Sequence, residues 1–273
     1  MSQRNIAIVG LGTIGTALVK GILKAELAPR EGLAGSTAHP ETAAAAQERL
    51  GIPVTTDNRA LVQGKDTVIL AVKPKTIPKV LSEIRDVLTP RQLLISVAAA
   101  TTTRFVEERL GKPIPVVRAM PNTPCQIGLG MTAICPGRYA RPEHLEVARA
   151  IFSSVGRVAQ VEDEELMDAV TALSGSGPAY AYIIIEALSE GGVKMGLPRK
   201  LATELAAQAI LGGAALVLDS GQHPALLKDD VTTPAGVTID GLMALEEGGL
   251  RVALIKAVMA ATERGKTLSK NSP

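Results

Sequence analysis

The chain has 273 residues, 46% of them apolar, and a formal net charge of +2, as expected of an ordinary globular protein of about two domains. Aromatic residues make up only 2% of the sequence and tryptophan is absent, so we expect neither the stacking platforms nor the basic stripe that bind nucleic acid. No apolar run approaches the roughly 20 residues of a membrane span, and no signal-peptide stretch opens the chain. We therefore expect a cytoplasmic protein with no nucleic-acid or membrane partner.

The first predicted elements are a strand and a helix joined by closely spaced glycines. Gly10, Gly12 and Gly15 follow an apolar run with the spacing that brings a backbone turn against a dinucleotide pyrophosphate. The first glycine permits the tight turn, the second lets the backbone approach the phosphates, and the third lets the helix pack closely on the strand. A purely structural glycine turn is the alternative. The predicted pyrophosphate site consists of Gly10, Leu11, Gly12, Thr13, Ile14 and Gly15.

The end of the second predicted strand, Leu33–Ser36, indicates which dinucleotide binds. A NAD enzyme places Asp or Glu there to accept hydrogen bonds from the ribose 2′-hydroxyl, but no carboxylate follows this strand before Glu41. Hydroxyl and backbone donors around Ser36 can bind a 2′-phosphate that a carboxylate would repel. Neither Arg30 nor Arg49 is well placed to hold that phosphate. The pattern favours NADP(H) and leaves NAD(H) possible.

Strands and helices alternate as far as about residue 161. Continuous apolar runs are typical of parallel strands that are covered on both faces, and shorter strands follow them. The predicted strands are 66–72, 93–97, 116–117, 132–134 and 157–161. This alternation predicts an α/β fold with a doubly wound sheet. Ligands bind beyond the carboxyl ends of such strands, although a solvated Lys73 and rigid proline turns are the alternatives here. The candidate site loops are 73–74, 98–101 and 120–124.

From residue 163 the pattern changes to consecutive helices without a predicted strand. The helix predicted over 179–195 is apolar almost all round, with Glu186 and Glu190 as its main charges, and an Ala- and Leu-rich helix follows over 201–218. A helix without a clear polar face must be buried on several sides, and one small domain offers few. We therefore expect dimerisation through this half. The alternative is the central helix of a monomeric bundle.

Two segments of the helical half have unusual chemistry. The glycine-rich run 173–180, which contains Ser176, leads into a helix and allows close approach by a ligand or a second chain. In the run 231–238, Thr233 is predicted to be the N-cap and Pro234 the first residue of a helix. Backbone N–H groups at that helix start would suit a carboxylate, although the same pattern also begins ordinary helices.

Several segments together resemble pyrroline-5-carboxylate reductases over nearly the whole chain. They are the glycine turn, Ala71-Val-Lys-Pro74, Met120-Pro-Asn-Thr-Pro124, 169–180, 191–198 and 227–245. The resemblance implies reduction of 1-pyrroline-5-carboxylate to L-proline with NAD(P)H, the final step of proline biosynthesis. It also implies a dinucleotide-binding Rossmann domain over 1–162, a helical substrate-binding and dimerisation domain over 163–273, and a homodimer or a ring of dimers.

The resemblance further implies roles for individual residues. The cofactor contacts, the first two at the adenosine end and the rest on the nicotinamide side, are Ser36, Asn58, Ala71, Val72, Lys73 and Pro74. The candidate substrate contacts are Ser176, Thr233, Ala235, Gly236 and Val237. Thr238 would contact the pyrroline ring and is the candidate catalytic residue. The family usually has Ser-Pro-Gly-Gly-Thr/Ala-Thr here, so Thr233, Ala235 and Val237 are departures. If position 235 needs a positive φ, alanine costs about 1 kcal/mol.

The chemistry of an imine explains what the sequence lacks. No general acid is evident, because His39, His144 and His223 have no carboxylate partner suggested by their spacing. Cys125 and Cys135 are expected to be free thiols, and no metal site is expected. A cyclic imine can arrive already protonated. The protein then need mainly align the imine carbon with the nicotinamide and anchor the carboxylate.

Two other functions remain open at this stage. A β-hydroxyacid dehydrogenase has the same two-part plan, but it needs a catalytic lysine shortly after the glycine-rich helix start, and here no lysine lies between Gly177 and Lys194. A non-catalytic NADP-binding sensor would need no substrate loop, and the intact run 227–245 argues against it.

Overall fold

The computed structural model describes residues 4–270, which form two compact units. Unit 1 comprises residues 4–175 together with 261–270, and unit 2 comprises residues 176–260. The boundary predicted from the sequence lies earlier, after residue 162. Residues 163–175 belong to unit 1 because they pack on its strands, in part through the buried Arg118.

A sheet of eight strands forms the centre of unit 1. The strands are β1 (Ile6–Val9), β2 (Leu33–Ser36), β3 (Val54–Thr55), β4 (Thr67–Leu70), β5 (Leu93–Ser96), β6 (Val116–Pro121), β7 (Gly130–Pro136) and β8 (Gly156–Gln160). Their spatial order is β3-β2-β1-β4-β5-β6-β7-β8, and every neighbouring pair is parallel except β6 and β7. The strand order reverses between β1 and β4, where a doubly wound sheet binds its ligand. The predicted fold class is therefore confirmed.

The strands differ from the predicted runs mainly at their ends. β4 is shorter than predicted, whereas β6 and β7 are longer. Met120 and Pro121 were expected in a loop, but they are the last residues of β6, because they pair with Ala133 and Thr132 of the antiparallel β7. The two-residue β3 was not predicted, since so short a strand has no periodicity to detect.

Helices cover both faces of this sheet. Within residues 4–175 they are α1 (Thr13–Lys24), α2 (Pro40–Leu50), α3 (Asn58–Val62), α4 (Ile77–Ile84), α5 (Thr103–Leu110), α6 (Pro142–Ser153) and α7 (Met167–Val170). Successive side chains of β1 point to opposite faces. Ile6 and Ile8 accordingly pack with α1, α2 and α6, whereas Ala7 and Val9 pack with α3, α4 and α5. Unit 1 thus has an apolar layer on each side of its sheet.

A buried arginine joins the sheet to the segment that follows β8. Arg118 of β6 lies with its Nη1 3.2 Å from Glu164 Oε1 and its Nη2 3.5 Å from Asp168 Oδ1. Glu164 also accepts hydrogen bonds from Thr103 N at 2.8 Å and from Thr103 Oγ1 at 2.6 Å. Asp168 accepts one from Ser269 Oγ at 3.0 Å. One cation therefore organises two carboxylates that hold residues 163–170 and the end of the last helix in unit 1.

Unit 2 consists of helices that bury almost none of their own side chains. They are α8 (Gly177–Lys194), α9 (Arg199–Ser220), α10 (Pro224–Asp230), α11 (Val237–Glu247) and the first part of α12 (Leu250–Lys270). Among residues 176–260, all of which the structure describes, only Ser189, Ala202 and Ala206 are buried. By length and composition α9 could cross a membrane, which corrects the expectation that no apolar run approaches that length. The all-helical character of this half is confirmed.

Candidate active site

The glycine turn follows β1 at the carboxyl edge of the sheet. Gly10 has a φ of +99°, which L side chains rarely adopt, and a Cβ there would lie 2.8 Å from Val72 Cγ1. A Cβ on Gly15 would lie 2.1 Å from Gly10 O, so only glycine allows α1 to start this close to the turn. Around Gly12, by contrast, a Cβ would meet nothing within 4 Å. This open space is where the motif places a pyrophosphate.

The start of α1 supplies the backbone donors for such an anion. The N–H groups of Gly10 and Leu11 are already used, because they donate to Ser36 O at 3.2 and 3.0 Å. Gly12 is the N-cap without a side-chain cap, and the N–H groups of residues 13–15 have no carbonyl partner within the helix, since Thr16 N is the first to donate to a helical carbonyl, Gly12 O. A phosphate is a natural partner for them. The Leu11 side chain lies in the core, as Ile14 partly does, so these residues offer a ligand mainly their backbone.

A hydrogen-bonded chain of three side chains lies at the end of β2. Ser36 is only 2% exposed, and its Oγ donates to Asn58 Oδ1 at 2.6 Å. Asn58 Nδ2 in turn donates to Glu83 Oε2 at 2.8 Å. The structure thus brings the predicted Ser36 and Asn58 together and adds Glu83, which was not predicted. No local signal marks Glu83, because it lies on α4, 25 residues beyond Asn58.

Residues 71–74 continue from β4 beside the glycine turn. Ala71 N donates to Val9 O at 2.8 Å, and Val72 is the side chain that a Cβ on Gly10 would meet first. Lys73 is exposed and precedes a short 3-10 turn, Pro74–Thr76. Two of the four predicted contacts therefore lie against the glycine turn, whereas the Lys73 side chain is exposed.

Asn122 ties the end of β6 to the segment that leads out of unit 1. Its Nδ2 donates to Ser174 O at 3.1 Å, and its Oδ1 accepts from the backbone of β7 at 2.8 Å. Thr171–Gly175 forms one turn of π-helix, and a Cβ on Gly175 would lie 2.7 Å from Met120 Cε. Such turns are frequent at functional sites. The predicted loop 120–124 and the start of the glycine-rich run 173–180 therefore meet in unit 1.

The start of α11 differs from its prediction. Thr233 is not the N-cap and Pro234 is not the first helical residue, because the N-cap is Gly236 and the helix begins at Val237. The cause is Ala235, whose φ of +56° interrupts a helical backbone. Gly236 N donates to Thr233 O at 3.0 Å, so residues 233–236 form a tight turn that delays the helix by three residues.

The first turn of α11 nevertheless offers backbone donors. Gly236 provides no side-chain cap, so the N–H groups of Val237 and Thr238 have no partner within the helix. The Val237 side chain is 88% exposed and Thr238 is half-buried. A Cβ on Gly236 would lie 2.3 Å from Thr233 Oγ1, which explains the glycine. A carboxylate suits the donors of this helix start.

Ser176 and the three histidines also lie at helix starts. Ser176 is the N-cap of α8, and its backbone O accepts from Ala179 N at 2.9 Å. His144 Nδ1 and His223 Nδ1 accept from backbone N–H groups that begin α6 and α10, and His39 is the N-cap residue of α2. Burial lowers the pKa of His144. Ser176 and the three histidines therefore belong to the starts of their helices.

The two cysteines are free and buried. Burial raises the pKa of the Cys125 thiol and raises that of Cys135 to about 11. The prediction of free thiols is confirmed, and neither thiol carries appreciable thiolate at neutral pH.

The likeness of this chain to known proteins extends over both units. The family model described as pyrroline-5-carboxylate reductase dimerisation matches residues 164–268, and the model described as NADP oxidoreductase coenzyme F420-dependent matches residues 5–100. A pyrroline-5-carboxylate reductase of Methanosarcina acetivorans is 44% identical over 99% of this chain and 100% of its own length.

Solved structures extend the likeness to the fold. The reductase of Coxiella burnetii is 35% identical, has a TM-score of 0.92, and is matched over 98% of this chain and 99% of its own. The Plasmodium falciparum enzyme, solved with NADP bound, is 33% identical over the same shares, with a TM-score of 0.87. By full-length identity and fold, the chain belongs to the pyrroline-5-carboxylate reductase family.

Proposed function

We propose that this protein reduces the C=N bond of 1-pyrroline-5-carboxylate to give L-proline, the final step of proline biosynthesis, with NAD(P)H as the hydride donor. The observation that carries the proposal is the 44% identity to a pyrroline-5-carboxylate reductase over 99% of the chain. The geometry supports the same reaction, since the start of α1 suits a pyrophosphate and the start of α11 suits a carboxylate.

The residues around the glycine turn fit a dinucleotide. The open space at Gly12 and the first-turn N–H groups of α1 would hold the pyrophosphate, with Ser36 and Asn58 at the adenosine end and residues 71–74 on the nicotinamide side. When bound, the reduced coenzyme supplies the hydride. No carboxylate stands at the end of β2 itself, which supports a preference for NADP(H) and leaves NAD(H) possible.

The turn 233–236 and the start of α11 form the proposed substrate site. The N–H groups of Val237 and Thr238 would anchor the substrate carboxylate, and Thr233, Ala235 and Gly236 set the shape of the turn that presents them. Ser176 is a further candidate contact. The Thr238 hydroxyl would hydrogen-bond the ring nitrogen and orient it. Because a cyclic imine that binds protonated already has an electrophilic carbon, the site needs alignment rather than a general acid.

We assign dinucleotide binding to residues 1–162 and substrate binding and dimerisation to residues 163–273. The exposed apolar surface of α8 and α9 and the match of residues 164–268 to a dimerisation model support a homodimer or a ring of dimers. A second copy would cover α9, which favours a cytoplasmic protein without a membrane partner. The small net charge of +2 gives no reason to expect nucleic acid.

The test is coenzyme oxidation by the purified protein with 1-pyrroline-5-carboxylate, repeated with NADH and with pyrroline-2-carboxylate. Oxidation with the 5-carboxylate, and proline identified as product, is the expected result. Oxidation only with the 2-carboxylate would assign a different imine to the turn 233–236. Coenzyme binding without consumption of any imine would contradict an enzymatic role, and turnover of a 3-hydroxy acid would point to the hydroxyacid dehydrogenases.

A further inference from the structure

The hydrogen-bonded chain at the end of β2 has a fixed direction. A carboxylate can only accept hydrogen bonds, so Glu83 Oε2, at 2.8 Å from Asn58 Nδ2, requires the N–H side of that amide. The amide oxygen must then face Ser36, whose hydroxyl is left with the donor role at 2.6 Å. Glu83 therefore sets the polarity of all three side chains.

This chain of side chains stands where Rossmann enzymes distinguish their coenzymes. Ser36 is the last residue of β2, and enzymes selective for NAD place a carboxylate at that strand end. Asn58 begins α3, whose N-cap Asp57 accepts from Ala60 N at 3.0 Å and so fixes the start of the helix. Here the carboxylate comes from α4, and a single amide separates it from Ser36.

The charge of Glu83 is only weakly neutralised. Its one ion-pair partner among the described residues is Lys79, whose Nζ lies 3.8 Å from Glu83 Oε1 one helical turn earlier. The Lys79 side chain is 79% exposed, and ion pairs of this kind contribute little because water screens them. A 2′-phosphate carries negative charge that this carboxylate would repel, whereas a 2′-hydroxyl does not.

We propose that Glu83 is a positioning residue for coenzyme choice. It fixes the orientation of the Asn58 amide. Its negative charge, one amide away from Ser36, also repels a 2′-phosphate, which limits the preference for NADPH and allows NADH to serve as a coenzyme. Ser36 is almost fully buried and its hydroxyl already donates to Asn58, so Ser36 influences the coenzyme through Asn58. This proposal rests on the proposed function, because that function places the dinucleotide at the end of β2.

The decisive variant is Glu83→Gln, because glutamine can still accept the hydrogen bond from Asn58 but carries no charge. The affinities for NADPH and NADH are measured by fluorescence titration of the purified full-length protein without imine. We expect NADPH to bind about fivefold more tightly, while NADH binding changes by less than about twofold. Lys79→Met leaves Glu83 without its cation and should lower the ratio of NADPH affinity to NADH affinity by about twofold.

The matched control is Glu108→Gln, which removes the carboxylate of another i,i+4 ion pair, with Arg104 on α5. It leaves the NADPH to NADH affinity ratio unchanged. An unaltered ratio in both the Glu83 and Lys79 variants, or an equal rise in the Glu108 variant, would overturn the proposal. Because these titrations contain no imine, a parent protein that binds both dinucleotides but reduces no pyrroline carboxylate contradicts the proposed function alone.

Discussion

Units 1 and 2 are both rich in apolar residues, but nearly all of the buried ones lie in unit 1. In unit 1, side chains such as Ile6 and Phe152 are fully buried between the sheet and its helices. In unit 2, residues 176–260 bury only Ser189, Ala202 and Ala206. Unit 1 therefore contains its own core, whereas the exposed apolar helices of unit 2 form the surface on which we propose that another chain packs.

The difference has a consequence for the two halves of the proposed reaction. The glycine turn, where we propose that the dinucleotide binds, is fixed by strands and helices that pack within unit 1. The turn 233–236, where we propose that the substrate binds, leads into a helix of unit 2, and helices of this kind draw most of their stability from packing. We therefore propose that coenzyme binding survives changes that weaken the association of chains, whereas substrate binding does not.

The largest effect is expected from Ile183→Glu on α8. Ile183 is 66% exposed in the single chain, and an ionised carboxylate in a shared apolar core would cost several kcal/mol. Light scattering should show loss of the oligomer, and reductase turnover should fall at least about 100-fold. Lys20→Glu on α1, at an exposed position of unit 1, is the matched control and should change neither. An intact oligomer in the Ile183 variant would place the interface elsewhere.

Unit 1 should instead be sensitive at its buried arginine. Arg118→Met leaves Glu164 and Asp168 close together without their cation, and breaking a buried pair in this way costs about 3 kcal/mol. Chemical denaturation should show that loss at low and high protein concentration alike, because the contact lies within one chain. Arg104→Met removes an exposed partner of Glu108 and should change stability by less than about 0.5 kcal/mol. Equal losses of unfolding free energy in the two variants would show that the buried Arg118 cluster stabilises unit 1 no more than an exposed ion pair does.

The third change separates the functions of the two units. Thr238→Ala removes the hydroxyl proposed to orient the imine nitrogen, and a hydrogen bond to a charged group contributes about 1.5–3 kcal/mol. We expect kcat to fall about 10- to 100-fold while the Kd for NADPH stays within about twofold of the parent. Thr238→Ser should restore most of the turnover. A parallel loss of NADPH affinity would show that the residue acts on the coenzyme instead.

Much of unit 1 could be predicted from the sequence, because its determinants are local. The strands are continuous apolar runs, and the glycine spacing predicts a turn that Gly10 and Gly15 then require sterically. The antiparallel pairing of β6 with β7 was not predicted, since pairing direction depends on distant partners. For the same reason Glu83 was missed, although its carboxylate accepts a hydrogen bond from the predicted Asn58.

In unit 2 the helices were predicted, but the turn 233–236 and the residue at which α11 begins were not. The apolar character of α8 led to the expectation of dimerisation through this half, and several large apolar side chains of this helix are exposed in the single chain. A Thr-Pro pair normally begins a helix, so Thr233 was assigned as the N-cap. The assignment failed because one residue, Ala235, adopts a conformation that alanine rarely has, and propensity rules give the common case.

The smallest predicted effect concerns that residue. Ala235→Gly removes the strain of a φ of +56°, a gain of about 1 kcal/mol that is partly offset because glycine is more flexible in the unfolded chain. The turn then presents the donors of α11 at less conformational cost, so the KM for the imine should fall about twofold to threefold with kcat unchanged. Glu26→Gly relieves a φ of +54° in unit 1 and should raise stability by a similar amount without altering this KM. If both variants changed stability and neither changed the KM, the strain at Ala235 would belong to the fold of unit 2 and not to substrate binding.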